Sequence, residues 1–118
     1  MIVAMIENPA GVAIADQIAA VPGVDVVFAA STDLGSFSGL RQGDPKYEAL
    51  VTKIHDDVLK ADRKLGGPLA WKTRPGFTFF QGPGETSLIR AGAQVELGSG
   101  PAPGGRRGVA PIEGTERR

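Results

Sequence analysis

The chain contains no cysteine, so disulfides and thiolate metal sites are both excluded. It has one histidine, one tryptophan and one tyrosine among 118 residues. No charge of either sign dominates. Acidic and basic residues number 13 each, and a formally neutral chain has no field with which to recruit nucleic acid or an anionic membrane. Long apolar runs are also lacking, and every stretch falls far short of a membrane span. The opening Met1-Ile2-Val3-Ala4-Met5-Ile6 is apolar but has no basic leader and meets Glu7 at once, so it does not read as a secretory signal. These absences lead to the expectation of a cytoplasmic protein with one compact domain.

Glycine and proline, by contrast, are plentiful, at 17 and 9 residues, and they crowd toward the end of the chain. From Gly98 to Arg118 large apolar residues are scarce. Such a segment buries too little surface to offset the entropy of ordering, so residues 98–118 are expected to form a flexible tail and residues 1–97 the folded domain.

Within the folded part, Ile2–Ile6 is a continuous apolar run of the kind that forms a strand buried on both faces. Asn8 suits a helix cap and Pro9 a first helical turn. A helix is predicted over Ala10–Val21, with Val12, Ile14, Ile18 and Ala19 as its apolar side and Pro22-Gly23 as its stop. Val24–Ala30 is a second β-rich run, and Leu34–Pro45 is predicted to be a Gly/Ser-rich loop. Tyr47, Leu50, Val51, Ile54, Val58, Ala61 and Leu65 keep helical spacing across Lys46–Leu65, with Gly66-Gly67 as terminator. Short apolar runs at Pro68–Trp71 and Phe77–Phe80 are strand candidates. Glu85–Ala91 is predicted helical and stopped by Gly92, with Ala93–Leu97 a final short strand or the start of the tail. Strands and helices therefore alternate, which defines an α/β fold with a parallel sheet. An open doubly wound sheet carries the same local signature as a barrel.

Two carboxylates stand out by position. Glu7 ends the first strand and Asp33 follows the second, 26 positions on, close to the length of one βα repeat. Parallel strands present their C-terminal ends on one side, where ligand-binding residues gather. Two carboxylates converging there repel unless a cation lies between them, and Mg²⁺ is commonly held by one or two carboxylates with water and substrate in the other positions. The plainer reading is of two solvated acids, or of acids favoured by helix N-terminal dipoles. His55 lies mid-helix, pointing away from the strand ends, and is a poor general base. Arg41, Lys72 and Arg74 are cations able to meet an anion, though surface placement is the default. Trp71 and Phe77, Phe79 and Phe80 read as packing. Gly82-Pro83-Gly84 reads as a turn before the last helix.

The stretches Met5-Ile6-Glu7-Asn8-Pro9-Ala10-Gly11, Ile18-Ala19-Ala20-Val21-Pro22-Gly23-Val24-Asp25 and Phe28-Ala29-Ala30-Ser31-Thr32-Asp33-Leu34 resemble the HpcH/HpaI aldolase and citrate lyase beta-subunit family. Phe77-Thr78-Phe79-Phe80-Gln81-Gly82 and Leu88-Ile89-Arg90-Ala91-Gly92-Ala93 look like that family's last strand and helix. The resemblance covers about residues 2–97. It implies a partial TIM (β/α)8 barrel, its strands matching the fifth to the eighth. It also implies a metal-dependent (class II) aldolase that cleaves 4-hydroxy-2-oxo acids through an enolate of pyruvate, with Glu7 and Asp33 as ligands of a Mg²⁺ or Mn²⁺ ion that stabilises the enolate charge. By the same resemblance Ser31 and Thr32 are expected to bind substrate, the family's backbone approaching it at the places of Ala30 and Ser31.

The departures are Ala30 and Ser31 in place of Gly-Pro before the Asp-Leu pair, and Met5 in place of a frequent Gln. The family's catalytic His and its Arg for the substrate carboxylate belong to the first half of the barrel, which this sequence does not contain. The expectation is accordingly an isolated chain with an incomplete site, which pairs with itself as a homo-oligomer or with a partner supplying the N-terminal half-barrel. The alternatives are a non-catalytic fragment that keeps only the carboxylates, and a lyase acting on a CoA thioester, for which no basic patch is evident.

Overall fold

The computed structural model describes residues 1–98, which fall into two compact units divided between Pro83 and Gly84. The expected tail lies outside the described residues apart from Gly98. The first unit is a four-stranded parallel sheet in the order β1 (Val3–Ile6), β2 (Val26–Ala29), β3 (Lys64–Pro68) and β4 (Phe77–Gln81). Between β1 and β2 lie two short helices, α1 (Pro9–Ala13) and α2 (Ala15–Ala20). Between β2 and β3 lie α3 (Ser31–Ser38) and α4 (Pro45–Lys60). A single 3-10 turn, Leu69–Trp71, and the chain to Gly76 link β3 to β4.

Local chemistry places these elements. Asn8 caps α1 by accepting from the Gly11 amide at 2.8 Å, with Pro9 in the first turn. The predicted single helix over Ala10–Val21 is broken at Ile14. The buried stripe is Val12, Ala15 and Ala19, while Ile14 is 43% exposed. Asp44 caps α4 through the Lys46 amide at 2.8 Å, and Pro45 again opens the helix. Tyr47, Val51, Ile54 and Val58 form its buried face. Full burial of such a side chain stabilises by roughly 1.5–3 kcal/mol.

Helix α4 ends earlier than Leu65, and the stop is not Gly66-Gly67. Asp62 adopts a left-handed conformation (φ 54°), the Arg63 amide donates to the Val58 carbonyl, and the Asp62 amide donates to that of Leu59. This is a Schellman closure with Asp where Gly is usual. It frees Leu65, Gly66 and Gly67 to enter β3, where all three are buried. The Arg63 guanidinium Nε then donates to the Ala19 carbonyl at 3.0 Å and ties the start of β3 to the end of α2.

The two faces of the sheet differ. Ile6, Val27, Ala29, Leu65 and Phe77 join Val12, Ala15, Ala19, Val51, Ile54 and Val58 in one core under the helices. On the other face Met5, Phe28, Gly66 and Phe79 lie across from one another in register. Phe28 and Phe79 meet edge-on over Gly66, with centroids 6.5 Å apart. A Cβ at Gly66 would come within 2.7 Å of the Phe28 ring and 3.1 Å of the Phe79 ring, which explains a glycine in mid-strand. A register irregularity between Leu65 and Gly66 inserts one extra residue in β4. It puts Phe77 on the helix side and Phe79 on the opposite one.

The second unit, as far as it is described, is α5 (Glu85–Leu97), opened by Gly84 with Glu85 in its first turn. It runs through Gly92 and takes in Ala93–Leu97, which had been expected as strand or tail. One interior glycine costs about 1 kcal/mol, and the flanking Ala91, Ala93 and Gln94 are helix formers.

Candidate metal and substrate site

All four strands run parallel, so their C-terminal ends share one edge of the sheet. At that edge the Ala30 amide donates to the Ile6 carbonyl at 3.0 Å, extending the β1–β2 pairing by one step. Glu7 is the next residue on the β1 side. Strand alternation sets it on the same side as Met5, and it is half-buried. Ala30 opens α3, placing Asp33 in that helix's first turn, where it is exposed. The predicted carboxylates therefore stand beyond the ends of two adjacent, in-register strands. Among the described residues neither forms an ion pair or a side-chain hydrogen bond.

Helix α3 had been expected as a loop from Leu34 onward. Its Gly and Ser content obscured two signals: acid in the first turn (Asp33) and a glycine stop, Gly39 at φ 69°. Tertiary packing decides the matter. Leu34 is fully buried, and Tyr47, itself 0% exposed, donates its hydroxyl to the Ser31 carbonyl at 2.8 Å. Burial is the main cause that pushes the Tyr47 phenol above its ordinary pKa, so it stays protonated as a donor. The Ser38 hydroxyl closes the other end on the Leu34 carbonyl at 2.6 Å.

Ser31 and Thr32 line an open groove with Gly35, Ser36, Leu40 and Arg41. The structure thus gathers both predicted substrate contacts with one of the cations singled out in the sequence. Glu7 and Asp33 are not among the groove's lining residues. Arg74 is engaged elsewhere. It grips Glu48 with two bonds (2.7 and 3.3 Å) and stacks on Trp71 at 4.3 Å. Sequence reasoning missed this pair, which straps the β3–β4 link to α4. His55 bonds Asp56 at 2.8 Å and lies against Gly76, beside the start of β4, at the end of the sheet opposite the carboxylates.

Carboxylate oxygens are the donors that a hard divalent ion takes. Two carboxylates without internal partners leave positions for water and for a bidentate oxo acid, as Mg²⁺ sites commonly do. Among the described residues no group of three or more His, Asp or Glu gathers into an all-protein cage. No helix among them is long and apolar enough to cross a membrane.

The fold is α/β, a part of a TIM barrel. Solved structures share it. An HpcH/HpaI aldolase from Desulfitobacterium hafniense DCB-2 is similar over 82% of this chain and 41% of its own, with TM-score 0.68 and 23% identity. An HpcH/HpaI aldolase/citrate lyase family protein from Burkholderia cenocepacia J2315 is similar over 79% and 40%, with TM-score 0.67 and 25% identity. The citrate synthase SbnG is similar over 80% and 42%, with TM-score 0.63 and 24% identity. The family resembled in sequence is thus one whose members share the fold, and the chain spans 40–42% of the length of these structures. No family model matches the chain, and no curated protein matches it in sequence.

Proposed function

We propose that this chain carries the metal-binding part of a carbon–carbon lyase of the HpcH/HpaI aldolase type, acting on 4-hydroxy-2-oxo acids. The observation that carries the reading is the position of Glu7 and Asp33, two carboxylates without internal partners at the C-terminal ends of adjacent parallel strands, where barrel enzymes place their chemistry. Glu7 and Asp33 would hold Mg²⁺ or Mn²⁺, which when bound supplies Lewis-acid stabilisation of negative charge on the oxo acid. Ser31 and Thr32, in the first turn of α3, would meet an anionic group of the substrate, and Arg41 adds a positive charge in the same groove. Tyr47 takes no part in the chemistry in this reading. It fixes the Ser31 backbone from below. The one histidine is at the wrong end of the sheet for proton transfer.

The test is cleavage of a 4-hydroxy-2-oxo acid, followed by pyruvate release with and without Mg²⁺ or Mn²⁺, in the chain and in Glu7→Gln and Asp33→Asn. Metal-stimulated release that both substitutions abolish supports the reading. Cleavage indifferent to the ion, or unchanged in both variants, removes it.

A further inference from the structure

We propose that Tyr47 is a positioning residue for the cation site: its buried hydroxyl holds the first turn of α3, and so Asp33, in place relative to Glu7. This rests on the metal assignment proposed above, and Tyr47 itself touches neither ion nor substrate.

The route from one carboxylate to the other is short. Glu7 follows Ile6, whose carbonyl accepts from the Ala30 amide at 3.0 Å. This bond fixes Ala30 against β1, and Asp33 lies three residues further on. The Glu7 end of the route is held locally, because Asn8 caps α1 through the Gly11 amide at 2.8 Å. The Asp33 end has no such cap. Ala30 stands at the N-cap of α3 and has no side-chain oxygen with which to accept an amide. The helix is eight residues long and contains Gly35, Ser36 and Ser38, so its intrinsic preference for the helical state is weak. Its position therefore depends on tertiary contacts.

Two of those contacts come from Tyr47, in the first turn of α4 and fully buried. Its hydroxyl donates to the Ser31 carbonyl at 2.8 Å. Its ring lies against Gly35, one turn on, where an added Cβ would come within 3.9 Å of Cε2. Leu34, also fully buried, is the third anchor on this side. Leu34 and the ring make apolar contacts, which tolerate sliding. The hydroxyl bond is directional, so it sets where the turn lies along and around the helix axis. Successive helical residues stand about 100° apart, so Asp33 is roughly 200° from Ser31, across the helix from that bond. Ser31 and Leu34 are buried, while Thr32 and Asp33 are exposed. The turn is pinned on its inner side and presents its carboxylate on the outer one.

The experiment titrates the full chain, Tyr47→Phe and Val58→Ala with Mn²⁺, reading the free ion by electron paramagnetic resonance. Tyr47→Phe keeps the ring and loses the bond. Groups that hydrogen-bond a metal ligand directly change affinity by about 10–100-fold, and Tyr47 acts on the backbone two residues from Asp33, so the loss should be about three- to tenfold. One ion should still bind per chain. Val58→Ala truncates a fully buried side chain at the far end of α4. It lowers stability and should leave the affinity within about twofold of the parent's, as expected of a distant site.

By linkage, a bound ion must in turn tighten the clamp. Tyr47 is the one tyrosine of the chain, so in a tyrosine-labelled parent its hydroxyl proton is read by magnetic resonance without any substitution. Exchange of that proton with water should slow when Mg²⁺ saturates the site, and this readout stands even where Tyr47→Phe does not fold. Equal affinity in the parent and Tyr47→Phe overturns the positioning role and leaves the metal assignment intact. So does an equal loss in Val58→Ala, which would make the effect one of stability, and so does hydroxyl exchange indifferent to the ion. No binding in the parent chain removes the metal assignment, and the positioning role with it.

Discussion

The two faces of the sheet follow different rules. On the helix side, Ile6, Val27, Ala29, Leu65 and Phe77 interlock with α1, α2 and α4, and side-chain identity is set by neighbours within the chain. On the other side the order rests on one aromatic pair over a glycine, with Met5 half in solvent. A strand carries both environments residue by residue, so one sheet can be finished on one face and open on the other. The largest expected effects of substitution therefore belong to the helix side, and any effect on the open side should depend on what covers it.

Ile54→Ala removes a fully buried side chain from the finished face. It should cost about 2–5 kcal/mol in chemical denaturation, independent of protein concentration. Met5→Ala should cost well under that, because Met5 is half in solvent. Equal losses would erase the distinction between the faces. Gly66→Ala comes next, since a methyl must displace the Phe28 ring. Overpacking of this kind costs about 1–3 kcal/mol, and a Phe28→Leu background should recover part of it.

The smallest effect concerns the strap between α4 and the β3–β4 link. The Arg74 hydrogen bond is the main cause that holds the Glu48 carboxyl below its ordinary value of 4.5. A depressed folded-state pKa contributes stability above the unfolded value, which is lost as pH falls through the folded one. Glu48→Gln should therefore cost about 1 kcal/mol or less at neutral pH, because the pair is partly solvated. It should also flatten the loss of stability below about pH 4.5. A variant with unchanged acid sensitivity would show that the strap does not contribute.

What was legible in the sequence was local. The Asn8-Pro9 cap, the helical stripe from Tyr47 to Val58 and the βα alternation are written in neighbouring residues, and so is the placing of Glu7 and Asp33 at strand ends. What was hidden depends on distant partners. Gly66-Gly67 looks like a helix stop, yet the two glycines sit in β3, where the Phe28 and Phe79 rings crowd the first and Phe77 and Trp71 the second. The true stop was Asp62, an αL residue that carries no glycine signal. Helix α3 was masked by its glycine and serines and is secured by Leu34 and the Tyr47 hydroxyl. In the candidate site, the meeting of Arg41 with Ser31 and Thr32 was not foreseen, because it depends on how the chain turns at Gly39.

The central claim is that Glu7 and Asp33 together hold a divalent cation. It is tested most directly by titrating the chain with Mn²⁺ and reading the free ion by electron paramagnetic resonance, beside Glu7→Gln and Asp33→Asn of unchanged circular dichroism. One ion should bind per chain, with affinity reduced at least about tenfold by either substitution. Equal binding in all three proteins, or none in the parent chain, would contradict it.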